Sequence, residues 1–216
     1  MDSCELESLI RNSVKNVNFE ESEAFSSLLF GGFESTLQLK LANALAGSDK
    51  VDNISIEKVG YDFKGRDKFY SNLRPDIFFT IKEELEGTVS KYVLELKVNY
   101  SLQKKGEEFE RRINSDIAKY HNNERGKIPD DISVYVLGII VSAKILEKMV
   151  KDTDKAKIYG YDAYIPKNRI DDSKLMAKTT SEWSINENAV PCGEILSLDS
   201  DLVVGHLWKI KKQDRQ

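Results

Sequence analysis

An aspartate directly behind a proline, and further on a glutamate and a lysine two residues apart, are the residues of this chain best suited to chemistry. They are Asp76 in Arg74-Pro75-Asp76, and Glu95 and Lys97 in Glu95-Leu96-Lys97. Side chains at i and i+2 of a strand leave on one face. A strand over Tyr92 to Val98 (YVLELKV) therefore presents Glu95 and Lys97 together, while Leu94, Leu96 and Val98 point the other way into a core. Ile77 to Ile81 (IFFTI) reads as a second strand starting just after Asp76. Paired as a hairpin, the two strands set Asp76 beside Glu95. Carboxylates so placed repel unless a cation lies between them. Oxygen donors suit Mg²⁺, which takes one or two carboxylates and keeps several waters, with Mn²⁺ as a substitute. Such a metal lowers the pKa of a bound water and clamps a phosphate. Lys97 then orients or deprotonates the attacking water, or neutralises charge developing at phosphorus. The plainer alternative is a solvated strand face on which Glu95 and Lys97 only pair. The setting favours the metal site: an apolar strand, a Pro-Asp before it and a striped helix after it.

The elements that must hold these residues are readable from periodicity. Leu6, Leu9, Ile10 and Val14 predict a first helix over 2–16. Phe33, Leu37, Leu41, Ala44 and Leu45 share one face of a helix that Gly47 stops. Val51 to Val59 reads as a strand and 82–91 as a hairpin tip. From Gly106 to about Asn122, Phe109, Ile113, Ile117 and Tyr120 form the buried stripe of a third helix. Ser133 to Val141 (SVYVLGIIV) is the most continuously apolar segment, as a strand covered on both faces should be. A short helix over about 143–151 and a strand from Ile158 to Ile165 follow. Residues 166–193 read as an irregular excursion, and Glu194 to Lys211 as one or two strands near the sheet edge. This order predicts an α/β or α+β domain: a mixed central β-sheet flanked by helices, with a parallel crossover through the third helix. One domain spans 1–216, with a core at about 30–165 and a C-terminal extension over 166–216 for substrate contacts or dimerisation.

These motifs, in this order of elements over roughly residues 30–142, resemble the PD-(D/E)xK, or restriction-endonuclease-like, superfamily. The resemblance implies a nuclease core in which Asp76, Glu95 and Lys97 are catalytic and Asp76 and Glu95 bind metal. It also implies a fourth catalytic member on the preceding helix, here Glu34, as a further metal ligand. On the residues alone, Glu34 reads equally as a favourable acid in a helix's first turn.

Basic residues suggest where nucleic acid would lie. The 61–74 loop carries Lys64, Arg66 and Arg74, with Tyr61, Phe63, Phe69 and Tyr70 among them, and leads into Asp76. Lys104 and Arg111, around the start of the third helix, are candidate phosphate contacts, whereas Lys105 and Arg112 read as a solvated face interleaved with glutamates. The basic tail 209–215 reads as a solvated terminus.

Composition bounds the rest. The chain has 216 residues, 40% hydrophobic and 31% charged, which suits one globular domain. A net charge of -4 leaves room for a local basic face. Cys4 and Cys192 form neither a disulfide framework nor a zinc cluster. No apolar run approaches the roughly 20 residues of a membrane helix, and no secretory leader is read, so a cytoplasmic setting is expected. The only histidines, His121 and His206, do not precede Asp76, and no phosphate-binding GxxxxGK[ST] loop occurs. The expected function is Mg²⁺-dependent endonucleolytic cleavage of DNA by a type II-like restriction or defence enzyme, with a homodimer matching a palindromic site. The alternatives are a repair, recombination or RNA nuclease of the same fold, and a non-catalytic nucleic-acid-binding module.

Overall fold

A computed structural model describes residues 3–17, 33–56, 75–82, 89–100, 106–121, 128, 131–142, 173–193, 196–198 and 203–212. Its elements are α1 (Ser3–Lys15), α2 (Phe33–Ala46), β1 (Val51–Ile56), β2 (Ile77–Lys82), β3 (Val89–Tyr100), α3 (Gly106–His121), β4 (Ile132–Val141), α4 (Ser173–Ala177), β5 (Ala189–Pro191), β6 (Leu196–Leu198) and β7 (Val203–Ile210). The expected helix at 143–151, the strand at 158–165 and the 61–74 loop lie outside the described residues.

The strands form one mixed sheet in the order β1-β2-β3-β4-β7-β5, with β6 also on β7. The β1-β2 and β2-β3 pairs are antiparallel. The β3-β4 pair is parallel and is joined through α3, the predicted crossover. Period-two alternation splits the side chains between two cores. Tyr92, Leu94, Leu96 and Val98 of β3 and Tyr135, Leu137, Ile139 and Val141 of β4 face α1 and α2, where Leu6, Ile10, Leu37, Leu41 and Leu45 are buried. Val93 of β3 and Val134, Val136 and Ile140 of β4 face α3, through Phe109, Ile113, Ile117 and Tyr120. Burying such a side chain contributes about 1.5–3 kcal/mol. The third helix can lie close to the sheet because β4 carries Gly138. A Cβ there would meet Phe109 Cζ at 2.6 Å and Trp208 Cζ3 at 3.0 Å.

The C-terminal strands lie near the sheet edge, as expected, with β7 one place in: it pairs with β4 on one side and with β5 and β6 on the other. Its sequence VVGHLWKI is buried at every position but Lys209, which is the signature of an internal strand. The described part of 166–193 also packs into the domain. Trp183 is buried edge-on against Phe109, with ring centroids 5.1 Å apart. Behind it lies His206, wholly buried, which accepts the Trp183 indole N–H at Nε2 (3.3 Å) and meets Thr180 Oγ1 at Nδ1 (3.1 Å). Burial pushes the His206 pKa down to about 4, with Lys178 adding to the shift, so the ring is neutral and Nδ1 carries its proton toward Thr180.

Candidate active site

The β2-β3 hairpin runs in the register Ile77↔Leu94. One step back along the same register sets Asp76 opposite Glu95. β2 begins only at Ile77, so the amides of Leu96 and Val98 lie beyond its last registered pair. Carboxylates take the place of a strand there. Leu96 N–H donates to Asp76 Oδ2 at 2.7 Å, and Val98 N–H to Glu34 Oε2 at 3.3 Å. Gln38, from the middle of α2, donates its side-chain amide to the Asp76 carbonyl. Asp76 is thus fixed by its backbone and by its side chain.

Lys97 and Glu95 leave β3 on the face that α3 covers. Lys97 Nζ stands 2.9 Å from Asp116 Oδ2, 3.5 Å from Glu34 Oε1 and 3.9 Å from Asp76 Oδ2, and donates to the Leu96 carbonyl at 2.7 Å. Its contact with Asp116 is a close ion pair, the shortest it makes to a carboxylate among the described residues. Burial alone would lower the Lys97 pKa. The carboxylates of Asp116, Glu34 and Asp76 outweigh it, so the ammonium is held above its ordinary value. Lys97 is therefore a fixed cation.

Glu95 is 2% exposed. Its Oε1 accepts from Lys119 Nζ at 2.8 Å and from the Tyr120 hydroxyl. Burial, and then the charge of Asp76, push its pKa up to about 8 against the pull of Lys119. Burial likewise raises Asp116, with Lys97 opposing, and raises the Tyr120 phenol further above its usual range. Crowded carboxylates of this kind are the arrangement a cation relieves.

The structure brings together Asp76, Glu95, Lys97 and Glu34, all four residues singled out as the core of the site. Glu34 Oε2 also takes Arg112 Nη2 at 2.6 Å, and Arg112 Nη1 donates to the Val98 carbonyl at 2.8 Å. Glu34 thus faces cations and an amide. Arg111 is elsewhere, mostly exposed and paired with Glu108 at 2.6 Å on its own helix. Lys64, Arg66, Arg74 and Lys104 lie outside the described residues. Sequence reasoning missed Arg112, Asp116, Lys119 and Tyr120 as members of the site. Arg112, Asp116 and Lys119 follow i, i+4, i+7, a helical row directly beside the apolar stripe. That spacing was the available signal.

Among the described residues, no three His, Cys, Asp or Glu side chains converge tightly enough to enclose a metal by themselves. Mg²⁺ asks for less: one or two carboxylates, the remaining positions being water or substrate. Asp76 and Glu95, opposed across the hairpin and all oxygen in their donors, fit that requirement.

No known family model matches the sequence, and neither a curated protein nor a solved structure resembles the chain closely enough to count as a match. Among the described residues no helix is long and apolar enough to cross a membrane.

Proposed function

We propose that this protein is a Mg²⁺-dependent nuclease that hydrolyses phosphodiester bonds in DNA, built on a restriction-endonuclease-like core and acting as a restriction or defence enzyme. The observation that carries the proposal is the Asp76–Glu95–Lys97 arrangement: two opposed carboxylates, one buried and hard to ionise, beside an ammonium locked among acids. Asp76 and Glu95 would hold the metal, which when bound would supply a nucleophilic water and charge stabilisation at phosphorus. Lys97, kept charged by its neighbours, serves as an electrostatic group toward the phosphate rather than as a base. Glu34, with Arg112 across it, holds Lys97 and the open end of β3 in place. Tyr120 and Lys119 orient Glu95.

Supercoiled plasmid incubated with Mg²⁺ tests this. Cleavage should appear, vanish in EDTA, and fall by about 10³-fold or more in Asp76→Ala and in Lys97→Ala, the scale of removing a principal electrostatic group. Cleavage untouched by either substitution refutes the site. Cleavage of single-stranded RNA but not plasmid keeps the site and changes the substrate. No cleavage of either in Mg²⁺ or Mn²⁺ refutes the enzyme reading.

A further inference from the structure

The acid and the lysine of β3 are not each other's partners. Lys97 pairs with Asp116 at 2.9 Å and Glu95 with Lys119 at 2.8 Å, so an acid and a base three residues apart on α3 meet a base and an acid two apart on β3, crosswise. Lys119 is about a third exposed, on the helix's last turn, and reaches the site from its rim. Asp116 is different. Its side chain is 13% exposed and lies inside, between the sheet and the helix.

We propose that Asp116 is a positioning residue of the nuclease site: its carboxylate fixes the Lys97 ammonium at the point where charge develops on the phosphate. The inference rests on the nuclease reading above and assigns a residue outside the PD and ExK motifs. Three observations support it. Asp116 makes the shortest charge contact that Lys97 has, shorter than those from Glu34 and Asp76. Among the described residues, its buried Oδ2 has the Lys97 ammonium against it and no amide or hydroxyl donor. A carboxylate kept for stability is expected to collect amide or hydroxyl donors, because burying a charge with one partner is costly. Finally, α3 is pinned to the sheet by Phe109, Ile113 and Ile117, so the carboxylate is carried on a rigid element. Rigid support is what a group acting by position needs, since small displacements of a charged group cost large factors in rate.

The isosteric Asp116→Asn variant separates this role from a structural one. Plasmid cleavage in Mg²⁺ should lose at least about tenfold in kcat, with KM for plasmid changed by less than about threefold. Mn²⁺ affinity, measured by calorimetry on the variant and on the wild-type chain, should also stay within about threefold. The melting temperature in EDTA should be unchanged or higher, because the variant no longer buries a poorly solvated charge. A wild-type kcat in Asp116→Asn overturns the proposal. So does a Mn²⁺ affinity weakened by about tenfold or more, which would make Asp116 part of the metal site itself. A lowered melting temperature with kcat intact assigns it to structure alone. If the wild-type chain cleaves neither plasmid nor RNA, the nuclease reading falls first and this inference with it. If the wild type cleaves and Asp116→Asn cleaves equally well, only this inference falls.

Discussion

Glu95 should make the metal-free protein lose stability as pH rises through neutrality. Its carboxyl ionises near 4.5 in an unfolded chain and only near 8 in the folded one. Between those values the folded state holds a proton that the unfolded state has given up. Stability is therefore greatest below about pH 4.5 for this group and falls as pH rises toward 8, at about 1.4 kcal/mol per pH unit. From pH 6.5 to 8 the loss amounts to roughly 2 kcal/mol, and over the whole window to roughly 5 kcal/mol. Asp116, whose carboxyl burial also raises, adds to the same trend. The measurement is urea unfolding in EDTA at pH 6.5, 7.25 and 8, on the wild-type chain and on Glu95→Gln. Glutamine keeps the shape and the acceptor that Lys119 and Tyr120 use, but cannot ionise. The wild type should lose the roughly 2 kcal/mol, and the variant should lose much less. Adding Mg²⁺ should flatten the wild-type curve by supporting the ionised carboxylate. A wild-type chain with no loss over this range, or a variant that declines just as steeply, refutes the placement of Glu95 as a buried, crowded acid.

Two further outcomes follow from the packing around the site. Against the Glu95→Gln background, where one of the two opposing acids is gone, His206 should contribute a loss of roughly 3 kcal/mol as pH drops from 6.5 to about 4. The cause is that buried His206 resists the proton that an unfolded histidine accepts. His206→Leu in that background should remove this acid slope, as read by the same urea titrations. Gly138→Ala should cost about 1–3 kcal/mol in thermal or urea unfolding, because the new methyl group meets the Phe109, Trp208 and Ile113 side chains at 2.6, 3.0 and 3.1 Å. Shortening Phe109 to Leu in the same chain should recover part of that loss.

The hairpin residues were legible because a strand repeats every two residues. Leu94, Leu96 and Val98 are buried on one core and Glu95 and Lys97 emerge on the opposite face, as the alternation predicts. The apolar stripe of α3 was legible for the equivalent reason at a period of 3.6. What escaped was the polar row beside that stripe. In GEEFERRINSDIAKYH the charges are so mixed that Arg112, Asp116 and Lys119 look like solvated neighbours of one another. The parallel crossover from β3 to β4 was expected, but only the packed structure shows which face of α3 it lays across Glu95 and Lys97. Which strands and helices become neighbours is a long-range choice that one element's sequence does not encode, as β7 also shows. Its burial was readable in VVGHLWKI, but its neighbours were not. The two readings of Glu34 needed the backbone as well, since what calls it inward is the unpaired amide of Val98.

The internal place of β7 sets the order of synthesis against the order of assembly. By the time the chain has been made as far as β4, every carboxylate and lysine of the site has already been joined to it. The segment that closes the outer edge of β4, Val203 to Ile210, is still to come. Until it arrives, ISVYVLGIIV is an open apolar edge of the kind that recruits other chains. A premature stop before Val203 should therefore yield insoluble protein rather than a trimmed but folded domain.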